Sequence, residues 1–317
     1  MKIESPWIQT TDDCNCQCSY CYMTKSNNDM NKTTFDNFVT EKLCEIREKK
    51  VDAVVMRIAG GEPLLNFDAW KDGVSLFLEN TKSPSGVQLI TNLTYLPNGF
   101  CKYLEKNKIW LNVSLDSLSD SKPFKVLGTS SAPIVMANIE KVKQKNLCIL
   151  TVINPTNVND LPELAEWIGQ HQYEWHLSLD YFYNGNPPPE TIKESLKKAI
   201  KRLSMWYDYD YFRKFYFELC SFYWQDGCEA GKNNYAIDTQ GKRCDCQTLF
   251  GQDKKVIVKQ DEKCKKCSVF TFCKGGCPLH NTEQRKSLVC DIVKMVAKET
   301  GRIIVRSGKI GEENSEV

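Results

Sequence analysis

Six short runs rich in β-branched and other apolar residues recur between residues 7 and 180, each followed by a stretch with helical spacing. The runs are 7–11, 51–61, 87–92, 110–116, 148–154 and 174–180. Helices are predicted over 33–49, 67–80, 97–107, 133–146, 160–171 and 190–205. On the first, Phe35, Phe38, Val39, Leu43 and Ile46 fall on one face. Strands alternating with amphipathic helices bury their apolar faces as βαβ units around a parallel sheet. The predicted class is α/β, as a partial (β/α)6 TIM-like barrel, in which functional groups gather at the C-terminal ends of the strands.

After about residue 190 the texture changes. Residues 205–224, "MWYDYDYFRKFYFELCSFYW", are crowded with aromatics that would pack between two parts of the chain or line a groove for a peptide. A cysteine-rich, loop-rich segment then runs to about 290, followed by a predicted helix over 291–299 and a polar tail. With no long Gly/Ser linker, the expected division is a core over 1–190 and a bridging helix plus auxiliary domain over 191–317.

The formal net charge of +2 and the lack of any long like-charge block argue against nucleic-acid or membrane-surface partners. The opening "MKIESPWIQTTDD" has no apolar signal region, and no run reaches the roughly 18 apolar residues of a membrane span, so the expected location is cytoplasmic. In a reducing compartment, 16 cysteines point to metal or cluster ligation rather than a disulfide framework.

Four of them crowd "DDCNCQCSYCYM", residues 12–23. The spacing Cys14-x3-Cys18-x2-Cys21 suits three irons of a [4Fe–4S] cube with the fourth left open. A structural zinc site would ask for a fourth protein ligand, and none is obvious nearby. Cys16 lies out of register and is read as a non-ligand. "GGEP", residues 60–63, follows the second strand, where backbone groups could grip a small polar ligand.

Together these residues resemble the radical S-adenosylmethionine (SAM) superfamily, whose C-x3-C-x-aromatic-C motif is matched by Cys14, Cys18, Tyr20 and Cys21. The family's GGEP motif is intact as Gly60, Gly61, Glu62 and Pro63. "TNLTYL" (91–96) is similar to its TNG motif with Leu93 in place of glycine, and "VSLDS" (113–117) to its SLDG motif with Ser117 in place of glycine. The resemblance implies a cluster whose open iron chelates SAM and whose electron yields a 5′-deoxyadenosyl radical that abstracts substrate hydrogen. By the same resemblance Tyr20 lies near the adenine and Gly60–Pro63 take the amino group. Ser114 reaches toward the amino acid or ribose, and Asn92 and Asp116 complete the cofactor-binding set. Where the family often carries an arginine for the SAM carboxylate, this chain has Lys122 and Lys125 in "SKPFKV", and neither is assigned the role.

The later cysteines, Cys228-x12-Gly241-x4-Cys246 and Cys264-x2-Cys267-x5-Cys273-x3-Cys277 with Cys290, resemble the seven-cysteine SPASM domain found behind some radical SAM cores. That resemblance implies two auxiliary [4Fe–4S] clusters, for three in all. Cys264, Cys267, Cys273 and Cys290 would hold one; Cys228, Cys246 and Cys277 the other, with Cys220 as fourth ligand and Cys244 competing for that place. Two structural zinc sites are the alternative.

Other residues receive blander readings. Cys44, Cys101 and Cys148 are expected to be small buried hydrophobes, and His171, His176 and His280 structural. Asp180, ending the sixth strand, is the single weak catalytic candidate, and Asp238 and Asp245 near the auxiliary ligands are no stronger. The function implied is a peptide maturase acting on a ribosomally made precursor, by crosslinking, epimerisation or fragment excision such as tyramine splicing. Alternatives are an anaerobic sulfatase-maturating enzyme, disfavoured by Gln247 where that branch carries an acidic residue, a small-molecule dehydrogenase, and a non-enzymatic iron–sulfur or zinc protein. Because the first ligand lies at residue 14, a separate small leader-recognition protein is expected. A flavodoxin- or ferredoxin-type donor would supply the electron.

Overall fold

The computed structural model describes residues 1–119, 128–144, 147–207, 228–257, 262–273, 275–279, 283 and 286–299. Strands and helices alternate through the first two-thirds of the chain: β1 (Ile3–Gln9), α1 (Lys32–Arg47), β2 (Ala53–Ala59), α2 (Phe67–Asn80), β3 (Gly86–Thr91), α3 (Phe100–Lys106), β4 (Ile109–Ser114), α4 (Ala132–Val142), β5 (Leu147–Ile153), α5 (Leu161–His171), β6 (Glu174–Leu179) and α6 (Pro189–Leu203). Two short strands follow, β7 (Asn234–Ile237) and β8 (Arg243–Cys244), and a helix spans 286–299. Among the described residues no helix is long and apolar enough to cross a membrane.

The chain forms two compact units. The first comprises Met1–Ser114, Lys122–Cys148 and Glu229–Ile257, the second Leu115–Ser121, Ile149–Cys228 and Val258–Val317. In the first, the strand order is β4-β3-β2-β1-β7-β8. Every pairing is parallel except the β7–β8 hairpin. Alternation divides the sheet's faces. Glu4 meets Lys42 of α1 on one side, while Ser5 accepts from the Arg57 side chain on the other. The helix-facing side buries Ile8, Val54, Met56, Ile58, Val87, Leu89, Leu111 and Val113. On α2, Phe67 and Trp70 meet Phe100 and Tyr103 of α3 edge-to-face, with centroids 5.1–6.0 Å apart.

α1 is opened by Asn31, whose Oδ1 accepts from the Thr34 amide at 2.9 Å. Its buried stripe is Phe35, Phe38, Val39 and Lys42. Lys42 thus joins the buried face while the expected Leu43 and Ile46 are only half-buried, and Cys44 turns outward. Cys44 is exposed and Cys101 half-buried, correcting the expectation that both are core residues, whereas Cys148 is buried. β1 ends at Gln9, two residues short of the end of the predicted 7–11 run, so Thr10 and Thr11 belong to the following loop. β7 had no counterpart in the sequence reading; it pairs in parallel with β1, Ser5–Ile8 opposite Asn234–Ile237.

In the second unit β5 and β6 are neighbours. The Trp175 indole donates to Thr151 Oγ1 at 2.9 Å. α5 and α6 pack together, and α5 ends at Gln172, which takes a left-handed φ of 57°. Of the aromatics over 205–224, Trp206 packs against Gly169 of α5 and Tyr207 donates to the Ile168 and Tyr173 carbonyls. Residues 208–224 lie outside the described residues, as do Lys122, Lys125, Cys220 and His280.

Candidate functional site

The loop leaving β1 carries Cys14, Cys16, Cys18 and Cys21, and its two ends are tied together. Met30 N–H donates to Thr10 C=O and Asp12 N–H to Asn28 C=O, both at 2.9 Å. Asp12 then gathers the interior: its carboxylate accepts from Gln9 Nε2, from Ser26 Oγ at 2.9 Å and from Asn28 Nδ2 at 3.1 Å. Asn66, just before α2, donates from one Nδ2 to the Thr10 and Met30 carbonyls at 2.7 and 2.9 Å.

The GGEP turn at the end of β2 lies backbone-to-backbone against this loop. Gly61 N–H donates to Thr11 C=O and Glu62 N–H to Asp13 C=O, both at 2.8 Å. A Cβ on Gly61 would sit 2.0 Å from the Asp13 carbonyl oxygen, and one on Gly60 2.6 Å from that of Thr11. Only glycine allows that approach. Pro63 is held by the Trp70 indole, which donates to its carbonyl at 3.0 Å.

Glu62 is fully buried and faces the end of β3. It accepts from Thr91 Oγ1 at 2.6 Å, Asn92 N–H at 2.7 Å and Leu64 N–H at 3.0 Å. Burial pushes its carboxyl up to about 7, against the pull of those three donors. Asn92 in turn reaches the cysteine loop: its Nδ2 lies 2.9 Å from Asn15 Oδ1, 3.4 Å from Cys16 Sγ and 3.8 Å from Cys14 Sγ. Asn15 also donates to Thr94 Oγ1 at 2.7 Å. Leu93, at the position where the TNG motif has glycine, takes a left-handed φ of 51° and is buried. A non-glycine residue there stores backbone strain of about 1–2 kcal/mol.

The thiols differ among themselves. Cys14 is held down to about 6, first by the hydrogen bond from the Cys16 side chain and then, against burial, by the Cys16 backbone amide and the charge of Lys25. Cys16 is fully buried and pushed up by that same bond and by desolvation. Cys18 and Cys21 are half-buried on a turn closed by Cys21 N–H to Cys18 C=O at 3.2 Å, and Tyr20 is half-buried between them. A low thiol pKa at Cys14, a cationic Lys25 and two partly accessible thiols on one tied loop are donors suited to thiophilic iron, so the residues fit a cluster.

Ser114 is half-buried at the C-terminal end of β4. Asp116, in the second unit, is buried, and its carboxylate accepts from Val152 N–H at 3.0 Å while its carbonyl accepts from Asn157 Nδ2. Ser117, replacing the SLDG glycine, donates to Asp160 at 2.7 Å. Asp180 accepts from Phe182 N–H at 2.7 Å, as a turn-capping residue does. His171 contacts the Trp167 carbonyl at 2.8 Å and stacks on Tyr173.

The later cysteines are distributed over both units. In the first, Asp238 caps the β7–β8 hairpin by accepting from Gln240 and Lys242 amides, and Gly241 supplies its positive φ of 82°. The motif glycine is thus a turn requirement. Cys244 donates to the Cys246 carbonyl at 3.2 Å and is pushed up to about 11 by burial. Gln247 Oε1 accepts from Cys246 Sγ at 3.4 Å, and Asp245 accepts from Val256 N–H at 2.8 Å. In the second unit Cys264 and Cys273 lie on short helical turns, Glu262–Lys265 and Phe270–Cys273, and Cys290 on the helix over 286–299. Burial first, then the neighbouring Cys273 and Cys264, raises the Cys290 thiol. Cys267 caps the turn between them, its N–H donating to Cys264 C=O at 3.0 Å. Cys228 and Cys277 are half-buried in the second unit and Cys246 half-buried in the first.

Sequence reasoning missed Asn15, Asp12, Asn66 and Lys25, which hold the cysteine loop in place; the one signal available was the density of short polar side chains around the first cysteines.

Comparison with known proteins places this geometry. Over 218 residues the chain is 31% identical to the Methanocaldococcus jannaschii protein named "Probable GTP 3',8-cyclase", covering 63% of this chain and 70% of that one. It is 27% identical over 165 residues to the GTP 3',8-cyclase of Sulfurovum sp., spanning about half the length (49%) of that relative. Among solved structures it resembles native anSMEcpe with bound AdoMet and Cp18Cys peptide, with a TM-score of 0.68 at 18% identity, over 97% of this chain and 99% of that one. It also resembles Streptococcus suis SuiB bound to precursor peptide SuiA, with a TM-score of 0.58 at 15% identity over 87% and 72%. Residues 8–168, just over half the chain, match the Radical SAM superfamily: the chain belongs to the radical SAM superfamily and is an enzyme of it.

Proposed function

We propose that this enzyme modifies a peptide, using SAM and three [4Fe–4S] clusters, in the reducing cytoplasm. The observation that carries the reading is the likeness to two solved structures that contain peptides, one over nearly its whole length and the other over 72% of it, in a chain with seven SPASM-spaced cysteines. When bound, the first cluster supplies the electron that cleaves SAM reductively to a 5′-deoxyadenosyl radical able to abstract substrate hydrogen.

The chain's own part is positioning. Cys14, Cys18 and Cys21 hold the cluster, and Asp12, Asn15 and Asn66 fix the loop that presents them. By the resemblance Gly60–Pro63 take the SAM amino group, Tyr20 faces the adenine and Ser114 reaches toward the ribose or amino acid. Glu62 acts through Asn92, which it holds at the β3 end. Cys264, Cys267, Cys273 and Cys290 form one auxiliary set; Cys228, Cys246 and Cys277 contribute to the other, completed by Cys220 or Cys244.

Anaerobic protein reduced in the presence of SAM should release 5′-deoxyadenosine, and its absence refutes the reading. An iron content near twelve per chain, falling by about four in Cys14→Ala/Cys18→Ala/Cys21→Ala, tests the cluster count. The relatives named GTP 3',8-cyclase favour a second reading, action on a nucleoside triphosphate. It predicts GTP consumption coupled to SAM cleavage; the first reading predicts none.

A further inference from the structure

We propose that Trp7 and Gln9 of β1 together hold one peptide group of the substrate, the indole N–H donating to its carbonyl and the Gln9 side-chain carbonyl accepting from its N–H. The inference rests on the peptide reading above and names where on this chain that substrate is gripped. Among the described residues, Trp7 Nε1 and Gln9 Oε1 are buried and have no hydrogen-bond partner. Native interiors leave few such atoms unmatched. Two residues apart on one strand, the two side chains share a face. It is the face that carries Ser5, opposite the one on which Glu4 meets Lys42 of α1.

The Gln9 amide has one orientation open to it. Its Nε2 donates to Asp12, whose carboxylate also accepts from Ser26 Oγ and Asn28 Nδ2, so Oε1 is left as the acceptor. Gln9 is 5% exposed and stands beside Ala59 in the β1–β2 register, one residue before the GGEP turn. One row further from that turn, the register sets Trp7 beside Arg57, Arg57 beside Gln88 and Gln88 beside Trp110. Arg57 and Gln88 are half-buried and Trp110 is 43% exposed, so this face is reachable. A barrel interior that serves packing alone is filled by branched apolar side chains, and this row has none.

One uncharged donor and one uncharged acceptor match a secondary amide, which carries a carbonyl and an N–H in one plane. A triphosphate offers acceptors and calls for several cations. On this face of β1–β4 the described residues supply Arg57 alone, which donates to Ser5 Oγ at 2.8 Å and Asn234 Oδ1 at 3.1 Å.

The test uses the full chain loaded with iron and SAM, with N-acetylalanine N-methylamide as the probe and saturation-transfer NMR of the probe as the binding readout. Trp7→Phe, which keeps an aromatic ring and removes the N–H, should weaken binding about tenfold, and so should Gln9→Met. The fully N-methylated probe, which keeps the carbonyls and has no N–H, should bind the unaltered chain about tenfold more weakly. The indole N–H resonance that disappears in Trp7→Phe should shift as the probe is added. No binding by the unaltered chain, equal binding by Trp7→Phe, or equal binding of the N-methylated probe overturns the proposal. Displacement of the probe by GTP also overturns it, since the face would then take a nucleotide. Should Gln9→Met lose iron through Asp12, Trp7→Phe decides alone. The parent reading fails separately, if reduced protein releases no 5′-deoxyadenosine from SAM or consumes GTP as it does so, whatever the probe does at Trp7.

Discussion

Glu62 illustrates how a motif residue can work at one remove. Two donors from the β3 end, Thr91 and Asn92, and the Leu64 amide of its own turn converge on a carboxylate with no exposed surface. Replacing it by alanine strands those donors in a dry interior, each at a cost of about 1–3 kcal/mol. Glu62→Ala should lower the urea midpoint by the equivalent of about 3 kcal/mol and release Asn92. The second effect is read as iron loss from the first cluster while the auxiliary iron stays bound. At this scale the sequence was legible wherever chemistry is local: the spacing of Cys14, Cys18 and Cys21, taken with the GGEP run, marks the candidate ligands, and the structure puts them on one tied loop. It was not legible where partners are distant. Asn15 meets Thr94 and Asn92 across 79 and 77 positions, and no short-range pattern encodes that. The contact of Cys16 with Cys14 was hidden for another reason: spacing puts Cys16 out of register with the candidate ligands but does not say which way its side chain turns.

Between elements, the clearest coupling is the buried cluster of Lys42 on α1, Glu4 on β1 and Tyr235 on β7. Lys42 Nζ lies 3.3 Å from Glu4 and 2.5 Å from Glu45, and the Tyr235 hydroxyl donates to Glu4 at 3.0 Å. Burial alone would depress Lys42; the hydrogen bond to Glu45 and the Glu4 charge outweigh it and hold the ammonium above its ordinary range. Removing one partner of such a pair leaves a buried charge, so Lys42→Met should cost about 3–5 kcal/mol. Tyr235→Phe, losing a single hydrogen bond, should cost about 1 kcal/mol. Thermal or urea unfolding of the two variants checks the ratio.

His176 on β6 makes a pH prediction. Burial pushes its imidazole down to about 4. A depressed histidine stabilises the fold above its unfolded pKa, and that stability is lost as pH falls toward the folded value. From pH 6.5 downward the loss should approach about 1.4 kcal/mol per pH unit until about pH 4. Comparing urea midpoints at pH 7.5 and 5.5 for wild type and His176→Asn isolates the effect, which should be weaker in the variant. Elements with sustained periodicity, such as α2 at 67–80, were predicted to the residue. β7, four residues long among cysteines and loops, is too short to show a period, and only pairing with β1 makes it a strand.

For the molecule as a whole, the cysteine-rich segments have little besides ligation to order them. The turns Glu262–Lys265 and Phe270–Cys273 are four residues each, far below the length at which a helix is stable alone. Stripping iron with a chelator should therefore abolish amide hydrogen-exchange protection over 262–279 while β1–β4 stay protected. Mass-spectrometric exchange on iron-loaded and stripped protein measures this. The α/β class was legible because every strand–helix repeat carried the same signal, and the auxiliary cysteines because their spacing is dense.

The pairing of β7 with β1 also has a consequence in time. Strand Ile3–Gln9 is made early relative to its second neighbour, Asn234–Ile237, which follows more than two hundred residues later. At ordinary rates of synthesis that gap lasts on the order of 20 s. During it the strand leading into the cysteine loop has one open edge. The thiols meant for iron are synthesised early but framed late, so their loading belongs after translation of residue 237, not during it. Chains arrested before that point should hold no cluster at Cys14, Cys18 and Cys21.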